Sequence, residues 1–381
     1  MQPLIDKSKF IGLDQCVWLY NGAEVPPLEG SLEQIVAYVQ NRGKGLEGRK
    51  RNSEVELACK ANVAQLLNGQ PEYIAFMSNS SEAISSIAQS IPFDKGDNVV
   101  INTLEFPSGV LPWLRLKERG LEVRIVNHIN GEVSVEDILA EVDARTRVVI
   151  TSHVSYLTGA RLDYKRLYEH LKNSDTLLLL DATQSLGVVP VDMNYADFVV
   201  CSSYKWLLAV HGASILAVNP VRTQHVVPQA AGWRSVTDMF GSDRFASFDY
   251  HADARRFELG YPSYPTLYAM QYSTALLLKT GIDRIEQHVL ALGRLLIAQL
   301  KQAGYEVMTP EDESRRAGNI SFKCADGEQV ANMLSDKGVY VWGGDGRVRA
   351  SIHLFNERSD IERLVELLPV ATGAVESNFP L

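Results

Sequence analysis

Between about residues 55 and 220, short runs of Val, Ile and Leu alternate with segments that are apolar only at helical spacing. The runs are EYIAFM, DNVVIN, LEVRIV, TRVVITS, TLLLLDA, ADFVVCSS and ASILAV. Runs this continuously apolar predict strands covered on both faces, and the amphipathic segments between them predict crossover helices. Together they make an α/β domain with a mostly parallel seven-stranded sheet. Ligands of such sheets gather at the carboxyl ends of the strands.

After residue 220 the pattern changes. VPQAAGWRSVTDMFGSDRFASFDYHADARRFELGYPSYPT is rich in Gly, Pro and aromatic residues and reads as loop. One long helical stretch is predicted from about Tyr264 to Ala303. Strand-like NISFKC, helical EQVANMLSDKG, strand-like VYVW and RVRASIHL, and a closing helix SDIERLVELL follow, making a smaller α+β C-terminal domain. The expected organisation is an N-terminal arm over 1–20, a large domain over 21–250 and the small domain over 251–381.

A hydrophobic fraction of 46% and a charged fraction of 22% are those of an ordinary soluble globular protein. The net charge of -9 argues against nucleic acid or an anionic membrane as the main partner, and Arg49-Lys50-Arg51 reads as a solvated helix start. Four widely spaced cysteines form no CxxC pair, so neither zinc nor a disulfide framework is expected. With no signal-like start and no uncharged apolar run near the ~18 residues of a membrane span, a cytoplasmic location is expected. GKGLEG at 43–48 matches the dinucleotide fingerprint, yet Leu32, Ile35, Val36 and Val39 before it have helical spacing. Without a preceding strand, these glycines read as a helix stop and loop.

The chemistry starts at TLLLLDATQSLGVVPVDM, where Asp181 follows four leucines at the end of a buried strand. A carboxylate there is costly to desolvate unless a cation or a hydrogen-bond donor meets it. The next run, ADFVVCSS, ends just before Lys205 in SSYKWLLAVHGAS, so amine and acid leave the sheet at one edge. That pair meets the needs of pyridoxal 5'-phosphate: the amine forms a Schiff base with the aldehyde, and the carboxylate keeps the ring nitrogen protonated so that the ring accepts electrons. Alone, Lys205 would read as a snorkelling surface side chain and Asp181 as a helix cap; the pair favours chemistry. In IAFMSNSSEAISSIAQS, Asn79 and Glu82 have capping spacing, and the helix they open near Ser81 offers N–H groups and the hydroxyls of Ser80 and Ser81 to a phosphate. An ordinary N-cap explains the same letters.

The pieces SNSSEA, LEFPSGVLPW, SHVSYLTGARLD, LLLLDATQSLGVVPVD and SSYKWLLAVHGAS, in this order, resemble the class V aminotransferase family of fold-type I pyridoxal-phosphate enzymes. That family includes cysteine desulfurases, selenocysteine lyases and isopenicillin N epimerase-like proteins. The resemblance implies Lys205 as the Schiff-base lysine, Asp181 as the partner of the ring nitrogen, and Gln184 as a donor to the phenolic oxygen. It implies Phe106 stacked on the cofactor with Ala182 on the other face, Tyr156 near the cofactor oxygen, and Ser80, Ser81, Ser202 and Tyr204 at the phosphate. Arg349 would grip the substrate carboxylate, and Arg347, two residues away, is expected to face elsewhere. A homodimer with active sites at its interface is implied as well.

Three positions depart from the family pattern. Phe106 replaces the histidine usual in desulfurases, Tyr156 stands where they carry asparagine, and Tyr261 replaces a threonine offered to the phosphate across the interface. The loop before Arg349, WGGDG at 342–346, lacks the nucleophilic cysteine of desulfurases, and Cys324 reads as a small packed residue. The expectation is therefore an enzyme acting on an amino acid through an external aldimine and α-carbanion. Aminotransferase-type chemistry comes first, with β-elimination such as C–S cleavage or epimerisation next, and a persulfide-forming desulfurase is set aside. A non-catalytic cofactor-binding regulator is the alternative of another class.

Overall fold

The computed structural model describes residues 1–368. The chain opens with a short strand, β1 (Val17–Trp18), and two helices, α1 (Glu29–Asn41) and α2 (Leu46–Leu66). The α/β region follows: β2 (Ile74–Met77), α3 (Ser80–Ser90), β3 (Asn98–Asn102), α4 (Leu111–Leu116), β4 (Glu122–Val126), α5 (Val135–Ala140), β5 (Thr146–Ser152), α6 (Tyr164–Leu171), β6 (Leu177–Asp181), β7 (Phe198–Ser202) and β8 (Ser214–Val218). Each of the seven apolar runs carries one of these seven strands. Their order is β2-β8-β7-β6-β5-β3-β4, and only the β8 pairings are antiparallel. β8 alone is reversed, so β2, β3, β5, β6 and β7 all deliver their carboxyl ends to one edge.

The apolar runs are continuous because both faces of the sheet are covered. Leu178 and Leu180 of β6 belong to one core layer, and Leu177 and Leu179 to the layer on the opposite side. Each such leucine contributes about 1.5–3 kcal/mol by leaving water. Val199 and Cys201 of β7 alternate with Phe198 and Val200 in the same way.

The predicted stretch from Tyr264 to Ala303 is two helices, α7 (Tyr264–Thr280) and α8 (Ile282–Gln302). Gly281 separates them at φ 87, a left-handed conformation that a helical pattern of apolar residues does not reveal. β9 (Asn319–Lys323), α9 (Gly327–Ser335), β10 (Val339–Tyr340), β11 (Trp342–Gly344), β12 (Arg347–Ser351) and α10 (Arg358–Leu367) complete the described chain. β12 lies between β11 and β9, antiparallel to both. Its Val348 and Ala350 enter the core, while Arg347, Arg349 and Ser351 share the other face. The first twenty residues dock on the C-terminal part: β1 pairs with β10, and Leu4 donates its N–H to the Leu354 carbonyl over 2.7 Å.

GKGLEG follows α1 rather than a strand; Gly45 lies at φ 59 and α2 starts at Leu46, so the strand-to-helix turn that the fingerprint requires is not formed here. Arg49, Lys50 and Arg51 lie exposed early in α2. Among the described residues, no helix is long and apolar enough to cross a membrane.

Candidate active site

β6 and β7 pair in parallel, with Asp181 opposite Val200, and this register brings Asp181 and Lys205 to the same edge. Asp181 is only 7% exposed, and its Oδ1 accepts from the Thr183 N–H at 2.8 Å. Burial raises its pKa, while the Thr183 hydrogen bonds and the nearby Lys205 pull it down. Lys205 is half-buried, and its pKa is lowered to about 8 by desolvation and by Arg349, against the opposing pull of Asp181. Acid and amine are thus close enough to shift each other's ionisation.

Local structure holds the lysine. Leu208 adopts φ 58 and donates its N–H to the Lys205 carbonyl, a strained turn for a leucine, while Ser203 Oγ lies 2.8 Å from the Val210 carbonyl and 2.7 Å from that of Ala213. Behind the turn Gly187 sits at φ 102, and a Cβ there would meet the Trp206 carbonyl oxygen at 2.3 Å.

At one end of the site, Ser202 Oγ donates to Ser80 Oγ at 2.8 Å, joining the end of β7 to the first turn of α3. Asn79 caps α3 by accepting from the Glu82 N–H, as the spacing predicts, and Ser81 Oγ bonds Ser108 Oγ at 2.6 Å. Tyr204 stacks on His211 with ring centres 3.8 Å apart. The α3 N-terminus, three hydroxyls and Tyr204 thus gather in one place, a donor set that suits an anion.

On the opposite side, the Phe106 ring is 5.6 Å from Lys205 Nζ and meets Tyr156 edge-on at 5.1 Å. Ala182 is buried immediately after Asp181. Gln184 Oε1 accepts from Trp206 Nε1 and Asn319 Nδ2, each at 2.9 Å, and Nε2 donates to the Gly22 carbonyl. This fixes which end of the amide is the donor and leaves one Nε2 hydrogen for the site. Arg349 Nη1 donates to the Tyr156 carbonyl at 2.8 Å, and burial together with Arg347 lowers its pKa to about 10. A Cβ on Gly22 would lie 3.0 Å from the Arg349 guanidinium carbon, which explains a glycine in NGAEVPP. Tyr261 stands apart from these groups, held by Arg49 at 2.9 Å.

The expectation that Arg347 faces elsewhere is wrong. Strand alternation has a period of two, so residues 347 and 349 share a face, and both guanidinium groups lie over the Trp342 ring, at 4.3 and 5.5 Å. Sequence reading also missed Glu105. It is buried beside Phe106 and accepts from Asn102 Nδ2, Ser152 N and Ser152 Oγ, each at 2.7 Å. Burial raises its pKa to about 7, and the Asp181 charge adds to the rise. The spacing Asn102-x-x-Glu105 at a strand end was the available signal.

An amine of lowered pKa, a buried carboxylate, a helix N-terminus ringed by hydroxyls and an aromatic wall fit the aldehyde, ring nitrogen, phosphate and ring face of pyridoxal phosphate. The Arg349 Nε, buried without a hydrogen-bond partner, fits a substrate carboxylate beside that cofactor.

The profile of the family described as Aminotransferase class-V matches residues 33–364. A protein of Methanothermobacter thermautotrophicus named "Probable cysteine desulfurase" is 30% identical over 376 residues, 92% of each chain. The apo cysteine desulfurase of Thermococcus onnurineus superposes with a TM-score of 0.87 at 22% identity, covering 95% of this chain and 96% of that one. A C-DES mutant with glycine covalently linked to its PLP cofactor gives 0.87 at 19% identity, covering 95% and 98%. These findings overturn the exclusion of persulfide-forming desulfurase chemistry and, with it, the first place given to transamination. The exclusion rested on one five-residue loop and on Cys324 read as packed, whereas relatives covering more than nine tenths of each chain are named probable cysteine desulfurases. Physically, C–S cleavage is set at the cofactor, and a thiol that takes the sulfur need not lie at one fixed position of one loop.

Proposed function

Because the chain belongs to the class V aminotransferase family and is a pyridoxal 5'-phosphate-dependent enzyme, we propose that it cleaves the Cβ–S bond of L-cysteine as a cysteine desulfurase does. The observation that carries the reading is the placement of Lys205 beside the buried Asp181, with its pKa lowered to about 8 by burial and by the cationic Arg349. The sulfur chemistry comes from the 30%-identical relative.

In this reading Lys205 binds the cofactor aldehyde, Asp181 faces the ring nitrogen, and Gln184 donates to the phenolic oxygen beside Tyr156. Phe106 covers one ring face. Ser80, Ser81, Ser202 and Tyr204 hold the phosphate. Bound there, the cofactor supplies an electron sink for negative charge at Cα. Arg349 grips the carboxylate of cysteine and fixes which Cα bond meets Lys205. Lys205 Nζ takes the α-proton and later returns a proton to carbon. A thiolate attacks the substrate sulfur, the Cβ–S bond breaks, and its electron pair stays on carbon. The products are alanine and a persulfide.

Cys324, half-buried, donates its backbone N–H to the Gly346 carbonyl in the turn before Arg347, and it is the first thiol to test. The decisive experiment gives the holoenzyme L-cysteine and dithiothreitol. Alanine and sulfide in equal amounts are expected, with one added sulfur atom on a cysteine by mass spectrometry when the reductant is omitted. Pyruvate and ammonia, or a keto acid with aminated cofactor, would overturn the reading.

The reading extends to a cytoplasmic homodimer. It is supported by four unpaired thiols and by exposed apolar side chains on α1 and α2 (Leu32, Val36, Val39, Leu46 and Leu57). A monomer by light scattering would sink the dimer.

A further inference from the structure

Arg347 is fully buried, yet it is committed to very little. Its Nη1 lies 3.2 Å from Asp345 Oδ2, a carboxylate that is itself 65% exposed, and its Nε and Nη2 are buried without any hydrogen-bond partner. With the idle Nε of Arg349, three guanidinium donors stand unused in one buried place. Leaving buried donors unpaired, on two like charges, is costly, and native structures rarely do so without a reason.

The placement supplies the reason. Arg347 and Arg349 leave the same face of β12 and both lie over the Trp342 ring, and the Arg347 guanidinium carbon is 5.8 Å from the Tyr156 ring centre. Tyr156 meets Phe106, and Phe106 lies beside Lys205. Arg347 therefore stands next to Arg349 on one face of β12 and, through Tyr156, beside the aromatic wall of the site. A single carboxylate is satisfied by one bidentate guanidinium. A second, parallel guanidinium has use for a second anion.

We propose that Arg347 is a specificity residue that binds an anionic group at the end of the substrate side chain. Amino acids with a second acid beyond Cβ then bind in preference to L-cysteine, which engages Arg349 alone. Asp345 engages only Nη1 and leaves Nε and Nη2 open to that anion, while its own charge opposes the anion's arrival. The inference rests on the reading of the site as an amino-acid site and adds a substrate class to it.

The test uses the holoenzyme and non-reacting probes. Glutarate and butyrate share a chain and one carboxylate, and only glutarate carries the second. Calorimetric titration is expected to show glutarate binding about 10- to 100-fold tighter, with the preference lost in Arg347→Gln and kept in part in Arg347→Lys. Asp345→Asn, a change at an exposed side chain that keeps the fold testable if Arg347→Gln unfolds, should tighten glutarate further and leave butyrate unchanged. Equal affinities for the two probes in the wild type, or a preference that survives Arg347→Gln, would overturn the proposal. Loss of both probes alike in Arg347→Gln would do so too, since it would make the two arginines a clamp on one carboxylate. A glutarate preference in an enzyme that releases no alanine or sulfide from cysteine would refute the desulfurase reading and leave Arg347 its role. Sulfide release without the preference would do the reverse.

Discussion

Ser152 donates both its backbone N–H and its hydroxyl to the carboxylate of Glu105, each at 2.7 Å, tying the end of β5 to the loop that carries Phe106. The contact holds a buried carboxyl group near Asp181, where desolvation raises its pKa to about 7. In the unfolded chain the same group titrates near about 4.3. Between those values the folded protein binds the extra proton, so Glu105 lowers stability as pH rises through that window. Glu105→Gln keeps the two hydrogen bonds to Oε1, reverses the third so that its amide donates to Ser152 Oγ, and cannot ionise. Its melting temperature should therefore gain on that of the wild type from pH 5 to pH 8, and a constant difference would contradict the shift.

Lys205 has the opposite sign. Its folded pKa of about 8 lies below the unfolded value near about 10.4, so the unfolded chain binds more protons in that interval and apoprotein stability rises with pH across it. The rate at which apoprotein captures pyridoxal phosphate should climb with the neutral fraction of the amine and level off above about pH 8. Stopped-flow absorbance measures this. Lys205→Ala should abolish the covalent visible band and turnover together.

Asp181→Asn removes the carboxylate charge proposed to face the ring nitrogen and keeps the acceptor for the Thr183 N–H. A loss in kcat of about 10²–10³-fold is expected, the scale seen when a preorganised electrostatic group is removed. An unchanged kcat would place the ring nitrogen elsewhere.

Arg349→Gln should raise KM for cysteine by about 10- to 100-fold, as a charge-assisted bidentate contact is lost, with a smaller change in kcat. A defect confined to kcat would show that Arg349 does not hold the ground-state carboxylate.

Gly187→Ala adds a methyl group where the Trp206 carbonyl oxygen already stands, at a backbone angle of φ 102. Strain of about 1–3 kcal/mol is expected from the backbone alone. The loop must move, so the variant should melt lower and bind cofactor more weakly. Equilibrium denaturation and absorbance titration check both.

Much of this site was legible in the linear order of residues because it is built from strand ends. TLLLLD places Asp181 and ADFVVCSS places the approach to Lys205, since a continuous apolar run has to stop where the sheet does. Asn79 and Glu82 announced the α3 cap through a spacing that acts within one turn. The break at Gly281 was not legible, because the apolar period runs on either side of it. Nor was Arg347 placed correctly, although the period of two required it to share a face with Arg349. Persulfide-forming chemistry was set aside on WGGDG and on Cys324 read as a packed residue, local features weighed against a whole chain.

Hydrophobic run and spacing alone determined the seven strands, the edge where chemistry gathers and the acid–amine pair, because burial on both faces of a sheet dictates composition residue by residue. The tertiary structure decided the burial that moves Lys205 and Glu105 toward neutral pH, the orientation of Gln184 and the side-by-side arginines. These depend on groups far apart in the chain, Gly22, Tyr156, Asn319 and Trp342 among them, and the interaction energy of such groups depends on distance and dielectric, which no local pattern records.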